Sequence, residues 1–212
     1  MMATRTISAL VALLALSSGC ALDGDSDDGA GPSGGGTASA PSGSVDPTTY
    51  ALDLMRRTYS ARYQPFASPA EMLRGVDAVV VGEVASVEPA LEAGEGESLG
   101  WVMVGLTIKE EWKPADQTTD GVFYYSFRRP TNIDVDVYRK GLPLGTRVVI
   151  FANQDQVKWV EGDPGVPVYV AFPQGLFVEV DGRLENVYAP GEDGWPAVSG
   201  TETGLEAATL SR

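Results

Sequence analysis

Histidine is absent from this chain of 212 residues, and cysteine occurs once. Without an imidazole, the chain cannot assemble a Ser-His-Asp or Cys-His hydrolytic centre, an HExxH metallopeptidase site or a zinc site that needs a histidine ligand. A single cysteine also excludes an internal disulfide framework and a thiolate zinc cluster. The commonest hydrolytic and zinc chemistries are therefore excluded before any motif is considered.

Positive charge is scarce as well, since 15 Lys and Arg residues stand against 29 Asp and Glu residues and leave a net charge of -14. Nucleic-acid binding depends on clustered Lys and Arg side chains that neutralise phosphates and release counterions. An acidic chain disfavours that kind of partner. The sequence therefore predicts a protein that does not bind nucleic acid.

The apolar stretch at residues 7–16 (ISALVALLAL) follows an arginine and precedes small residues. Ten residues span about 15 Å as a helix, which is half of a hydrocarbon core of about 30 Å, so a permanent membrane span is not expected. A basic start, a short apolar core and small residues behind it are typical of an export signal. We expect residues 1–19 to be a signal peptide and the mature protein to be exported.

The only cysteine stands directly behind this stretch, in the run Ser17, Ser18, Gly19 and Cys20. The run resembles the lipobox of bacterial lipoproteins, in which small residues precede a cysteine that is lipidated and becomes the first residue of the mature protein. Ser17 departs from the pattern, because the family usually has leucine there. The resemblance implies that Cys20 anchors the protein in the lipid bilayer on the outer side of the cell membrane. The alternative is an ordinary secretory signal cut near Gly19 or Ala21.

A tether is predicted next, at residues 20–46, where Gly, Ser, Ala, Pro and Asp dominate and no aromatic residue occurs. Such a segment cannot bury enough apolar surface to fold, so we expect it to be disordered. As a flexible chain of this length it would reach about 30 Å. The tether would hold a folded domain just clear of a membrane surface.

Two short helices are predicted at residues 47–76, ahead of a β domain at residues 77–212. Asp46 and Pro47 form an N-cap and first-turn pair for the first helix, and apolar spacing extends that helix to about residue 59. The second begins at residues 68–71 (SPAE), which form a capping box with proline at the first helical position.

Short β-branched segments separated by Gly, Pro and Asp turns fill most of the remaining chain. Asp181 and Gly182 carry the strongest hairpin signal. Strands at this spacing without helices between them indicate a mainly β domain, built as a small antiparallel barrel or sandwich. The predicted strands are residues 78–87, 101–112, 122–127, 132–138, 147–152, 166–172, 176–180 and 184–188, with a final helix in residues 201–212.

Three runs within residues 77–185 carry a second resemblance: AVVVGEV at 78–84, GLPLG before VVIF at 141–151, and PQGLF at 173–177. They are similar to a layout found in uncharacterised exported bacterial proteins with compact barrels of OB or netrin-like type. These motifs are turn glycines and core valines. The resemblance therefore implies an OB-like fold and carries over no catalytic or binding residue.

Asn132, Asp134 and Asp136 would share one face of the predicted strand at residues 132–138. Oxygen ligands in that arrangement suit calcium. The competing interpretation, which we favour, is a solvated face whose charge is balanced by the Arg and Lys residues on either side. The same carboxylates also raise the hypothesis of a carboxylate-type, calcium-assisted hydrolase that acts on envelope glycan.

Trp101 and Trp195 stand beside glycine or proline at segment ends rather than within an apolar run, which is a position typical of surface aromatic residues. We expect them to mark a binding surface for a glycan or a protein. The function that the sequence favours is a non-catalytic binding or interaction module with an envelope protein or glycan as partner. A protein inhibitor or receptor domain is a third hypothesis, and the ligand and the oligomeric state do not follow from the sequence.

Overall fold

The computed structural model of the protein describes residues 45–59, 63–90, 99–154, 167–188, 195 and 200–211. The predicted signal peptide, Cys20 and the tether up to residue 44 lie outside the described residues. None of the described helices is long and apolar enough to cross a membrane. The elements in chain order are α1 (Pro47–Thr58), α2 (Pro69–Gly75), β1 (Ala78–Pro89), β2 (Leu99–Lys113), β3 (Val122–Pro130), α3 (Val135–Gly141), β4 (Arg147–Gln154), β5 (Val168–Val180), β6 (Arg183–Asn186) and α4 (Glu202–Leu210).

Strands β1 to β5 form a closed barrel. β1 pairs antiparallel with β2 and β4, β2 pairs with β3, and β4 pairs with β5. A short parallel pairing, from Tyr124 opposite Val168 to Ser126 opposite Val170, joins β3 to β5 and closes the barrel. The prediction of a mainly β, OB-like barrel with short N-terminal helices is confirmed.

Apolar side chains at alternate positions of the strands fill the barrel interior. Val102, Val104 and Leu106 of β2 are fully buried, as the alternating pattern of this segment predicts. Helix α1 belongs to the same core, because Leu52 and Met55 pack in one cluster with the barrel residues. Helix α1 and the barrel interior therefore share one core.

A second apolar cluster lies on the outer side of the barrel, where α2 and α4 cover β1, β4 and β5. Val81, Val149 and Phe177 pack there against Met72 of α2 and Leu205 of α4. Because β1 and β4 are covered on both faces, their sequences read as continuous apolar runs instead of alternating ones.

The predicted helix starts at α1 and α2 are confirmed by their caps. The Asp46 carboxylate accepts a hydrogen bond from the Thr49 N–H at 2.8 Å. The Ser68 hydroxyl accepts one from the Glu71 N–H at 3.1 Å, and the Glu71 carboxylate in turn accepts one from the Ala67 N–H at 2.9 Å. These bonds satisfy donors that have no partner within the helix.

The predicted hairpin at Asp181 and Gly182 is also confirmed. Both residues have a positive φ, 50° and 74°, which matches the two left-handed positions of a tight turn between strands. Val180 pairs directly with Arg183 across it. The predicted C-terminal helix is present as α4, with Thr201 as its N-cap.

The prediction of a strand at residues 132–138 is wrong, because residues 135–141 form helix α3. Asp134 is the N-cap, and its carboxylate accepts a hydrogen bond from the Asp136 N–H at 2.8 Å. Val135 and Tyr138, which are three residues apart, are both buried. A helix places these two side chains on one face, whereas a strand would send them to opposite faces.

The two strands predicted at residues 166–172 and 176–180 are one continuous strand, β5. The pairing of β4 with β5 contains an irregularity between Ile150 and Ala152, opposite Pro173 and Gly175, where the sequence predicts a turn. A Cβ atom at Gly175 would lie 2.5 Å from the Phe151 Cβ, so glycine is required there by close packing rather than by a turn.

Candidate functional site

A groove of about 290 Å³ opens where the barrel closes. β3 and β5 pair through three residues each, and the C-terminal turn of α1 lies beside the point where this pairing ends. The Thr58 hydroxyl of α1 is 2.8 Å from the carbonyl oxygen of Arg128 on β3, which fixes the helix against the strand. The lining residues are Met55, Thr58, Tyr59, Trp101, Ser126, Phe127, Arg128, Val170, Ala171 and Tyr188.

The walls of the groove are mostly apolar and aromatic. The rings of Tyr59 and Tyr188 lie with their centroids 4.8 Å apart and their planes tilted by 32°. Phe127 packs edge-on against Tyr138, with centroids 5.2 Å apart. Flat, rigid side chains of this kind supply contact area with little loss of conformational entropy when a ligand binds.

Positive charge reaches the groove through Arg128. This residue pairs directly with Trp101 across β2 and β3, and its guanidinium carbon is 5.0 Å from the centroid of the Trp101 ring. A cation over the face of an indole is stabilised by the negative potential of the ring. This cation–π contact therefore holds a charged group at the rim of a mostly apolar groove.

Ser126 is the least expected polar residue of the lining. The residue is 2 % exposed, and its hydroxyl has no hydrogen-bond partner among the described residues. A buried hydroxyl without a partner costs about 1 to 3 kcal/mol relative to a satisfied one. The groove thus contains a polar group that no described residue satisfies.

Four tyrosines stand in and behind the groove, and their hydroxyls remain protonated at neutral pH. Burial raises the pKa of Tyr138 to about 12 and raises that of Tyr125 further. Burial also raises the pKa of Tyr188, to which the nearby Tyr125 and Tyr59 add. A phenol with a raised pKa is a poor general base, so these groups can donate hydrogen bonds but are not prepared for proton abstraction.

The structure separates the two predicted tryptophans. Trp101 lines the groove. Trp195 instead packs on the second apolar cluster, with its ring stacked on Phe177 at 22° and 6.5 Å, and its indole N–H donates to the Phe66 carbonyl at 3.2 Å. Trp195 is only partly buried there, so the two residues do not form one surface.

The predicted calcium ligands have other partners. Asp134 caps α3, and the Asp136 carboxylate pairs with the Arg139 guanidinium at 2.8 Å. Asn132 lies in the turn before the helix. Over the described ranges, no group of three or more His, Cys, Asp or Glu side chains is close enough to hold a metal ion. Both the calcium interpretation and the glycan-hydrolase hypothesis assumed that Asn132, Asp134 and Asp136 share one face of a strand. The structure does not have that strand.

Sequence reasoning missed Ser126, Arg128 and Tyr188 as site residues. One local signal was available, because strand alternation places Ser126 and Arg128 on the same face of β3, opposite to the buried aromatic residues. Tyr188 comes from beyond the last strand and gives no such signal. Comparison of the chain with protein-family models, with curated proteins and with solved structures found no match in any of the three.

Proposed function

We propose that this protein is a membrane-anchored envelope lipoprotein whose barrel acts as a non-catalytic binding module, with the groove between α1 and β3 as its ligand site. The observation that carries the proposal is the buried Ser126 hydroxyl without a partner inside an aromatic groove. Five buried side-chain polar atoms among the described residues have no hydrogen-bond partner, and the Ser126 hydroxyl is the one that belongs to a residue lining the groove, where a ligand can supply the partner.

The size and lining of the groove support a small ligand. Its volume of about 290 Å³ is close to the lower limit of about 300 Å³ for small-molecule sites. The walls combine aromatic faces with a few polar groups, which is the usual composition of such sites. The lack of histidine in the whole chain and the raised pKa of the groove tyrosines favour binding over catalysis.

The binding role can be tested on the full chain with the neutral aromatic probe 2-naphthamide, followed by the NMR shifts of backbone amides. We expect shift changes at Thr58, Ser126 and Tyr188, and at least tenfold weaker binding in Trp101→Ala, since this change removes one aromatic wall. Tyr50→Ala is the matched control, because Tyr50 is an exposed aromatic residue of α1 that does not line the groove.

Shift changes scattered over the surface, or none at millimolar probe, would contradict the binding role. Equal loss of affinity in Trp101→Ala and Tyr50→Ala would also count against it. The denaturation midpoints of both variants identify any effect that comes from unfolding rather than from the groove.

Membrane anchoring is tested separately at Cys20. When the chain is expressed in a bacterial host with labelled palmitate, we expect the label on the wild-type chain and none on Cys20→Ser, because the thiol is the acceptor of the lipid. The variant should also leave the membrane fraction, since two acyl chains are what makes attachment stable. Ser33→Ala in the tether is the control and should keep the label. Label that persists on Cys20→Ser would exclude the lipobox interpretation.

A further inference from the structure

We infer that the groove selects a small aromatic carboxylate, whose ring lies among the aromatic walls and whose carboxylate meets Arg128 and Ser126. This inference rests on the proposed binding function and adds to it the chemical class of the ligand. It depends on the charge of the groove, the geometry of the guanidinium and the position of the buried hydroxyl.

The groove carries a positive charge, whereas the chain as a whole is acidic. The chain has a net charge of -14, yet the described residues that line the groove include no Asp or Glu and include one charged side chain, Arg128. Arg57, by contrast, pairs with a carboxylate at 2.6 Å. Arg128 has no carboxylate partner in the part of the chain that the structure describes, and its guanidinium lies on Trp101 instead. A ligand anion can supply the missing partner.

The position of the Arg128 guanidinium over the Trp101 ring suits a carboxylate ligand. A guanidinium that lies over an aromatic face keeps its N–H edge available, and that planar edge matches the two oxygens of a carboxylate. The indole also restricts the orientation of the side chain, so less conformational entropy is lost on binding. One arginine balances one negative charge, which fits a monoanion better than a phosphate that carries two.

Ser126 places a second donor on the same side of the strand. Alternation puts Ser126 and Arg128 on one face of β3, with Cα atoms about 7 Å apart. Their side chains are thus close enough to contact the same small ligand. Ser126 is buried and Arg128 is exposed, so the two donors mark an inner and an outer end of the anion site.

The remaining walls favour a flat ring. Tyr59 and Tyr188 present two rings tilted by 32°. Offset and edge-on contacts with such rings stabilise an aromatic ligand beyond the area that it buries. A groove of about 290 Å³ can hold a ligand of one or two fused rings and is too small for a polymer chain.

The test compares 2-naphthoate with 2-naphthamide on the full chain, since the two probes share a ring system and differ in charge. We expect 2-naphthoate to bind at least tenfold more tightly at low salt, with the difference shrinking as sodium chloride is added. Arg128→Gln should bring the two affinities to within about twofold by lowering only that of the carboxylate. Arg128→Lys should retain part of the preference, because it keeps the charge without the planar edge. Ser126→Ala should weaken 2-naphthoate binding severalfold.

Arg57→Gln is the control, because it removes an exposed arginine of α1 that does not line the groove, and it should keep the tenfold preference. Equal binding of both probes to the wild type, or a preference that survives Arg128→Gln, would overturn the carboxylate assignment and leave the proposed binding function intact. Failure of both probes to bind would overturn the two together.

Discussion

Replacing Gly141 with alanine is expected to lower the free energy of unfolding by about 3 kcal/mol or more, the largest effect that we expect from adding a single methyl group. The added Cβ would lie 2.3 Å from the Ala51 Cβ and 2.7 Å from the Pro47 carbonyl oxygen. Both atoms belong to α1, and the carbonyl is backbone. The clash therefore cannot be relieved by a rotamer change and must displace α1 or α3.

This displacement should also affect the groove. Met55, Thr58 and Tyr59 are the α1 residues that line it, and α1 is held against α3 at Gly141. A shift of α1 moves that wall relative to β3. We therefore expect Gly141→Ala to weaken probe binding at temperatures where the chain is still folded.

Chemical denaturation of Gly141→Ala and Gly100→Ala measures the effect against a control. Gly100 is a buried strand glycine whose added Cβ would have its nearest atom, in the Arg129 guanidinium, at 3.5 Å, an ordinary van der Waals distance. Gly100→Ala should change the free energy of unfolding by less than about 1 kcal/mol. Equal midpoints for the two variants would show that the approach of α3 to α1 is not as close as described.

Local signals were enough to predict much of the fold. The caps at Asp46 and Ser68 depend on residues within one turn, and the hairpin at Asp181 and Gly182 depends on two adjacent residues that accept a positive φ. The alternation of β2 depends on a single buried face. In each case the residues that decide the structure are neighbours in the sequence, so the pattern is visible there.

The segment at residues 132–138 shows where local reading fails. Aspartate and valine alternate there as they would in a half-exposed strand, but Asp134 is also a good N-cap, and Val135 and Tyr138 have helical spacing. Seven residues do not distinguish the two patterns by periodicity alone. Tertiary packing decides, because Tyr138 is buried in the core that α1 shares with the barrel.

The candidate site was less predictable than the fold, because it is made by distant parts of the chain. Trp101 was identified from its position beside a glycine, but its place beside α1 depends on the closing pair of β3 with β5. Ser126 and Tyr188 are 62 residues apart in sequence and meet at the same groove. The parallel pairing that closes the barrel has no signal in the sequence of either strand, because the whole topology determines which strands become neighbours.

Raising the pH from 10 to 12 is expected to remove about 2 kcal/mol of stability through Tyr138 alone, with Tyr125 and Tyr188 acting in the same direction. The cause is burial, which raises the pKa of Tyr138 from its ordinary value of 10 to about 12. In the unfolded chain the phenol ionises near pH 10, whereas the folded chain keeps it neutral. The stabilisation is therefore fully present below pH 10 and is lost as the pH rises through 12.

Urea denaturation of the wild type and of Tyr138→Phe between pH 8 and 12, with tyrosinate absorbance at 295 nm recorded on the folded chain, measures this dependence. The Tyr138 hydroxyl is buried and has no hydrogen-bond partner among the described residues, so its removal should not destabilise the protein at pH 8. The same removal should make the loss of stability above pH 10 shallower. An unchanged pH dependence in Tyr138→Phe, or complete ionisation of all eight tyrosines by pH 10.5 in a chain that is still folded, would show that the phenols behind the groove are open to solvent.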